Sequence, residues 1–398
     1  MKAVIFAAGK STRTYPLTLT RPKPLLPIAN KPILAHQLEA LSGLVDSVSL
    51  VVGYKAEMIR ARFGDSYAGV DIEYIEQKEQ LGTGHALLQC AQSMTDTFIA
   101  LNGDDLYDPK DLRALSMAKQ GGLAKTVEDP SQFGIYEVDA EGRAIRIVEK
   151  PKEIFSNLAN IGAYIFTPEV FDVLRRVQPS ERGEIEITSA IQALAEKGEF
   201  QVITAQGYWL PIGYPWNLLD ATTYLLETTL REDIQGEVSP AAHISGTVSI
   251  GRGTVIRPGV VIDGPVIIGE NCTIGPNAWI RSNTAIGNDC KAGQGTEIKA
   301  SILFEGARVP HLSYVGDSIL GENVNLGCGT VTANFRHDEK NHRSMVNGTM
   351  VDTGRRKLGA VIGDEVHTGI HTSIYPGRKL WPGTSTLPGD IVIRDIES

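Results

Sequence analysis

The chain has 398 residues, 42% of them hydrophobic, enough for two or three domains that each bury a core. Asp and Glu number 47 against 38 Lys and Arg, so no general positive field gathers nucleic acid or an anionic membrane, and anionic small molecules must be met by local basic clusters. The cysteines Cys90, Cys272, Cys290 and Cys328 form no CxxC pair, which argues against a zinc site or redox dithiol and for reduced thiols in a cytoplasmic setting.

After Met1-Lys2 the chain enters the apolar run Ala3 to Ala8, too short for a secretory or membrane-spanning segment and read as a first buried strand. A glycine turn follows, Ala7-Ala8-Gly9-Lys10-Ser11-Thr12-Arg13, where backbone NH groups can approach phosphates. It is not a Walker loop, which needs glycine where this chain has Val4. A helical pattern from Ile33 to Leu44 and short apolar runs at Val48 to Val52 and Phe98 to Leu101 predict βαβ units and a mostly parallel sheet. A helix from about Trp216 to Arg231 closes this half, and the boundary is expected near Gln235, giving domains 1–234 and 235–398.

Beyond it, isoleucine recurs every sixth residue at Ile250, Ile256, Ile262, Ile268, Ile274, Ile280 and Ile286, again at Ile298, and the pattern resumes with Ile362, Ile374 and Leu380. Hexapeptide repeats predict a parallel β-helix with a ladder of branched side chains inside. Gly251, Gly259, Gly269, Gly275 and Gly287, with Asn271, Asn277 and Asn283, fit corners that need unusual backbone angles.

The glycine turn is followed by Pro16-Leu17-Thr18, Pro22-Lys23-Pro24 and Pro27-Ile28, and later by Gly82-Thr83-Gly84-His85-Ala86, Asn102-Gly103-Asp104, Glu149-Lys150-Pro151 and Asn160-Ile161-Gly162. Residues 1 to 230 thereby resemble the sugar-1-phosphate nucleotidyltransferases, which have a Rossmann-like α/β domain. The resemblance implies that Arg13 and Lys23 neutralise phosphates beside Ala8 and Gly9, that Asp104 holds Mg2+, and that Gln77, Gly82 and Thr83 read the base of UTP or dTTP. It also implies that Gly134, Glu149, Lys150 and Asn160 surround the sugar. Such transfer depends on positioning and charge neutralisation. One departure stands out: where the family has Trp-x-Asp-x-Gly, this chain has Trp209-Leu210-Pro211-Ile212-Gly213, so a second metal carboxylate is missing and metal binding is expected to be weaker.

In the second half, Pro310-His311-Leu312-Ser313-Tyr314-Val315-Gly316-Asp317, Asn323-Val324-Asn325-Leu326-Gly327-Cys328-Gly329 and Thr332-Ala333-Asn334-Phe335 resemble bifunctional glucosamine-1-phosphate acetyltransferases, whose left-handed β-helix uses acetyl-CoA. The resemblance implies that His311 is the base, a role suited to a group titrating near neutrality. Arg281, Lys299 and Tyr314 would grip the sugar phosphate, Asn325 would orient the amine, and Asn334 would steady the thioester oxyanion. Cys328 sits beside the acetyl group as packing. Counting forward from Asn334 selects Lys340 as the sugar-binding lysine and counting back from Ile362 selects Lys357, because extra residues around His342 to Thr353 resemble the archaeal members. Arg355-Arg356-Lys357 is either a coenzyme A phosphate site or an exposed basic turn.

The expected protein is a bifunctional enzyme of UDP-N-acetylglucosamine synthesis acting on small sugar phosphates and nucleotides, a homotrimer by resemblance, with no nucleic-acid or membrane partner. Two alternatives stay open: a nucleotidyltransferase whose repeats only oligomerise it, and a regulatory subunit that binds sugar nucleotides without turnover.

Overall fold

The structure, a computed structural model, describes residues 1–180 and 183–398. They form two compact units. Met1–Lys10, Pro22–Leu25 and Ile33–Pro211 make the first, and Ser11–Arg21, Leu26–Pro32 and Ile212–Ser398 make the second.

The first unit is built on strands β1 (Lys2–Ala7), β2 (Ser47–Val52), β3 (Val70–Glu76), β4 (Phe98–Asn102), β5 (Asp105–Tyr107), β6 (Gly121–Thr126), β7 (Gly134–Val138), β8 (Ala144–Glu149), β9 (Leu158–Phe166) and β10 (Trp209–Pro211). The main sheet runs β8-β7-β9-β4-β1-β2-β3, with β6 alongside β9. Alternation along β1 sends Ala3, Ile5 and Ala7 into a core with Leu34 and Leu38 of helix α1 (Ile33–Leu41), and Val4 into another with Tyr164 and Phe166. Both faces are covered, which is why β1, β2 and β4 read as mainly apolar runs.

β1 to β4 are parallel, as the sequence suggests. The other half departs from that expectation: β9 is antiparallel to β4, and β7 to both β8 and β9. The short link between Val138 and Ala144 leaves no room for a crossover helix, so the chain must double back. Strand β1 has β2 on one side and β4 on the other, and at this reversal the chain after Ala7 and the chain after Asn102 emerge from one sheet edge, the usual place for a ligand crevice.

In the second unit, helix α3 (Pro215–Thr228) gives way to three parallel sheets that the chain visits in rotation. The hexads divide among them: Ile250, Ile268 and Ile286 pair in register in the first sheet, Ile256 and Ile274 in the second, and Ile262, Ile280 and Ile298 in the third. All are buried in one continuous core that runs on through Leu303, Val315, Leu320, Ile362, Ile374 and Leu380. The extra residues form an antiparallel hairpin, β11 (Arg343–Val346) and β12 (Thr349–Asp352).

Corner residues Asn271, Asn277 and Asn283, with Gly259 and Gly275, have positive φ as expected. Gly251, Gly269 and Gly287 do not. A Cβ on Gly251 would stand 2.6 Å from the carbonyl carbon of Gly269, and one on Gly269 would stand 2.7 Å from that of Gly287. These glycines are there for close backbone approach between successive circuits, not for left-handed angles. Among the described residues, no helix is long and apolar enough to cross a membrane.

Candidate active sites

At the sheet edge after β1 and β4, Gly103 donates its N–H to the Phe6 carbonyl at 3.0 Å, and a Cβ there would collide with that oxygen. The tight turn sets up Asp104, whose Oδ2 accepts a hydrogen bond from Lys23 Nζ at 2.8 Å. Ala8 is held by its carbonyl, which accepts from Tyr54 N at 3.1 Å and Gln80 Nε2 at 2.8 Å, and Gly9 follows exposed.

Gln77 is buried, with its Nε2 3.4 Å from the Gly82 carbonyl and 3.0 Å from His85 Nδ1. Gly82 caps the short helix α2 (Thr83–Leu88) at φ 100, and Thr83 Oγ1 accepts from Ile187 N at 3.3 Å. The structure therefore brings Gln77, Gly82 and His85 together, and His85 is a neighbour that the motif reading leaves without a role. Gly134 pairs with Glu149 across β7 and β8, and a Cβ on it would stand 2.9 Å from Glu149 Oε2 and 3.7 Å from Asn160 Cβ, so these three also cluster. Asn160 donates to Tyr164 Oη at 2.7 Å and accepts from Gly162 N at 3.2 Å. Lys150 is exposed at φ 44.

Pro211 is opposite Asp105 in the β5–β10 ribbon. Asp105, to which the sequence drew no attention, is buried and accepts from Trp209 Nε1 at 3.3 Å and Tyr107 Oη at 3.4 Å. Burial first, then the neighbouring Asp104 charge, push its carboxyl up to about 8. Among the described residues no cluster of three or more His, Cys, Asp or Glu could hold a metal. Asp104, whose side chain is 40% exposed, supplies an accessible carboxylate oxygen, which fits a hard cation that keeps waters and phosphate oxygens as its other ligands.

Arg13 belongs to the second unit. Its guanidinium lies 5.5 Å from the ring centroid of Tyr214, which stacks on Trp216 at 4.7 Å. Its loop is knotted by Thr14 Oγ1 and Thr18 Oγ1, both donating to the Ser11 carbonyl at 2.7 and 2.9 Å.

On the third sheet of the second unit, the register of Ile280, Ile298 and Val315 stacks Arg281 under Lys299, and Trp279 under Glu297 and Tyr314. Arg281 Nη1 is 2.7 Å from Glu297 Oε1, and Lys299 Nζ is 3.6 Å from Asp317 Oδ2. Burial lowers the Lys299 pKa, the Asp317 charge opposes that, and nearby Lys357 adds to it. Lys357 is thus the lysine that joins this cluster. Lys340 stays exposed in a turn, its N–H 3.3 Å from Asp338 Oδ1. Asn334 Nδ2 donates to Asp317 Oδ2 at 2.6 Å and to Tyr314 Oη at 3.1 Å, so both of its amide hydrogens are engaged within the chain. Arg355 is paired with Asp220 and lies 3.8 Å from Asp317, while Arg356 is paired with Glu339 at 2.9 Å, so neither is a spare cation. Asp317, 4% exposed, is the anionic centre that the sequence quoted without a role.

His311 is exposed at the end of Arg308–His311, around the corner Leu312-Ser313 from Tyr314. Its carbonyl accepts from Ser313 Oγ at 2.7 Å, and one circuit on from it come Cys328 and Gly329. Asn325 bridges Arg308 and His367 on the same side. The expected acetyl-transfer residues therefore fall into two groups: Arg281, Lys299, Tyr314, Asn334 and Lys357 on one face, and His311, Asn325 and Cys328 beyond the corner.

A family model described as nucleotidyl transferase matches residues 2–228, and one described as GMPPB C-terminal domain matches 262–378. A bifunctional protein GlmU from Methanococcus maripaludis is 48% identical over 401 residues, covering 100% of this chain and 96% of that protein. A bifunctional sugar-1-phosphate nucleotidylyltransferase/acetyltransferase from Sulfurisphaera tokodaii is 37% identical, covering 100% of this chain and 98% of its own. Among solved structures, a UDP-glucose pyrophosphorylase complexed with UDP-glucose matches at TM-score 0.52 and 27% identity, over 57% of this chain and 98% of that one.

Proposed function

The chain belongs to the family of bifunctional GlmU proteins, sugar-1-phosphate nucleotidylyltransferase/acetyltransferases, and on that premise we propose that it acetylates glucosamine-1-phosphate and then transfers a uridylyl group to the product, making UDP-N-acetylglucosamine. The observation that carries this reading is the presence in one chain of two charged constellations, the Lys23–Asp104 ion pair and the group of Arg281, Lys299 and Lys357. Functionally the modules are 1–234 and 235–398, the second a left-handed β-helix of hexapeptide repeats.

For uridylyl transfer, the sugar phosphate oxygen attacks the α-phosphorus of UTP, the bond to the bridging oxygen breaks, and pyrophosphate leaves. Lys23 and Arg13 neutralise the triphosphate near Ala8 and Gly9. Gln77, oriented by His85, meets the uracil with Gly82 and Thr83, and Glu149, Asn160, Gly134 and Lys150 surround the sugar. Asp104 would hold Mg2+, which supplies charge neutralisation when bound. The balance between UTP and dTTP follows from how Gln77 meets the base.

For acetyl transfer, His311 takes the proton from the sugar amine as its nitrogen attacks the thioester carbonyl, and coenzyme A leaves as the thiolate and is reprotonated. Arg281, Lys299, Lys357 and Tyr314 grip the phosphate. Asn334 orders Tyr314 and Asp317, and Asn325 and Cys328 border the acetyl group. The two groups of residues on either side of the Leu312-Ser313 corner support a homotrimer in which one copy's His311 side meets another's phosphate grip. Trp279, Val331 and Ile391, on the outer side of the third sheet and 41%, 39% and 65% exposed, supply apolar surface for such contacts. The setting is cytoplasmic.

The test supplies glucosamine-1-phosphate and acetyl-CoA with and without UTP and follows coenzyme A and pyrophosphate separately. Both products are expected, pyrophosphate only when UTP is present. Pyrophosphate formed from N-acetylglucosamine-1-phosphate without any acetyl transfer would leave a nucleotidyltransferase alone.

A further inference from the structure

Ser11–Arg21 packs with the second unit, although the chain before it, Met1–Lys10, and after it, Pro22–Leu25, belongs to the first. It is held at both ends. Near its start, Asn347 Nδ2, at the tip of the β11–β12 hairpin, donates to Thr12 Oγ1 at 3.1 Å. At its end, the buried Arg21 guanidinium forks onto Glu322 and Asp364 and lies 5.4 Å from the Phe304 ring centroid, while Thr20 Oγ1 donates to Asp364 Oδ2 at 2.6 Å. Asp364 is itself fixed, since its Oδ1 accepts from Glu322 N at 2.8 Å.

The hairpin that reaches Thr12 is equally anchored. Lys379 Nζ donates to the Met345 carbonyl at 2.7 Å, Ser344 Oγ to the Gly377 carbonyl at 2.9 Å, and Arg378 Nη2 to the Arg343 carbonyl at 3.0 Å. Between the two holds stands Arg13, over Tyr214 at the start of α3. A buried ionic fork adds little net stability over apolar packing, because desolvation offsets the attraction; its distinctive contribution is a fixed register. Here the register fixed is that of the loop carrying Arg13.

We infer that Arg21 is a positioning residue for nucleotidyl transfer: its fork on Glu322 and Asp364, assisted by Asn347 on Thr12, holds on the three-sheet unit the loop that presents Arg13 to the triphosphate. The inference rests on the reading of Arg13 given above. Arg21 touches neither substrate nor metal, and it acts through the loop geometry.

The experiment compares full-length Arg21→Ala, Arg21→Lys and Asn347→Gly with the parent protein, measuring kcat and KM for UTP from pyrophosphate release, the UTP dissociation constant by calorimetry, and coenzyme A release. Arg21→Ala is expected to raise both KM and the dissociation constant for UTP about tenfold while coenzyme A release stays within about twofold. Arg21→Lys recovers part of the loss, since a single point charge cannot reproduce the fork. Asn347→Gly, an exposed change that keeps the left-handed turn residue at φ 46 free of a Cβ, raises KM for UTP by about threefold with the thermal midpoint close to the parent's. The inference is overturned if Arg21→Ala leaves KM and the dissociation constant for UTP unchanged. It is equally overturned if Arg21→Ala loses both activities together while Asn347→Gly behaves as the parent, which would mark Arg21 as general scaffolding. Failure of the underlying reading is seen separately: Arg13→Ala with undiminished pyrophosphate release removes it whatever Arg21 does.

Discussion

Lys23 Nζ stands 2.8 Å from Asp104 Oδ2, and the two partners differ in how much water they see: the lysine side chain is 4% exposed and the aspartate 40%. The asymmetry predicts unequal costs. Lys23→Met leaves a carboxylate that water can solvate, so stability is expected to hold or rise, whereas Asp104→Ala strands a buried ammonium and costs about 3 kcal/mol. Both substitutions should lower pyrophosphate release by about a hundredfold or more and leave coenzyme A release untouched. Chemical denaturation beside the two product assays checks this, and equal destabilisation by both would show that the burial difference carries no energetic weight.

Pro211 is the position at which metal binding is expected to be weak. Trp209 and Pro211 are two apart on β10 and so share the face on which Trp209 Nε1 meets the Asp105 carboxylate, one residue from Asp104. Pro211→Asp would add an oxygen donor there. Pyrophosphate release is expected to reach half-maximal rate at about threefold to tenfold lower Mg2+, because a second carboxylate replaces water in the coordination shell. A magnesium titration that superimposes on the parent's would show position 211 to be irrelevant.

What could be read from the sequence followed from short-range regularity. The sixfold isoleucine spacing predicts a ladder of branched side chains inside the repeats, and the structure divides that ladder among three sheets in which Ile250, Ile256 and Ile262 each pair with a counterpart one circuit on. Spacing failed where the chain breaks period. The β11–β12 hairpin made two counts toward a sugar-binding lysine disagree, and only packing against Lys299 selects Lys357. Arg21 carried no signal because its partners Glu322 and Asp364 are 301 and 343 residues away. Gly251 and Gly269 were recognised as special for the wrong reason, since a one-dimensional pattern cannot distinguish a positive φ from a backbone pressed against the next circuit.

Lys379 offers a pH test of the hairpin anchor. It is buried, and desolvation lowers its ammonium pKa to about 8, against the opposing pull of Asp395 and with a smaller contribution from Arg378. A folded-state value below the unfolded one, near 10.4, means that the unfolded chain binds more protons between those two pH values, so this group's contribution to stability increases as pH rises from about 8 toward 10. Below pH 8 the folded protein carries the full penalty of a buried charge. Lys379→Met should therefore flatten the rise in denaturation midpoint across that window relative to the parent. Parallel pH curves for the two proteins would mean that Lys379 titrates as an ordinary surface lysine.

Asp317 is the charge on which the proposed phosphate grip of Arg281, Lys299 and Lys357 turns. It is buried, accepts from Asn334 Nδ2 at 2.6 Å, and faces Lys299 at 3.6 Å and Arg355 at 3.8 Å. Burial already lowers the Lys299 pKa, Lys357 adds to that, and Asp317 is the charge that holds it up. Asp317→Asn removes the support, so Lys299 loses its proton at lower pH than in the parent. A neutral lysine cannot hold the sugar phosphate, so the alkaline limb of coenzyme A release should move to lower pH. Pyrophosphate release from N-acetylglucosamine-1-phosphate should keep its pH profile. Lys299→Arg in the Asp317→Asn background should restore the alkaline limb, because a guanidinium stays charged throughout. If the profile of Asp317→Asn superimposes on the parent's, Asp317 does not govern the charge of Lys299.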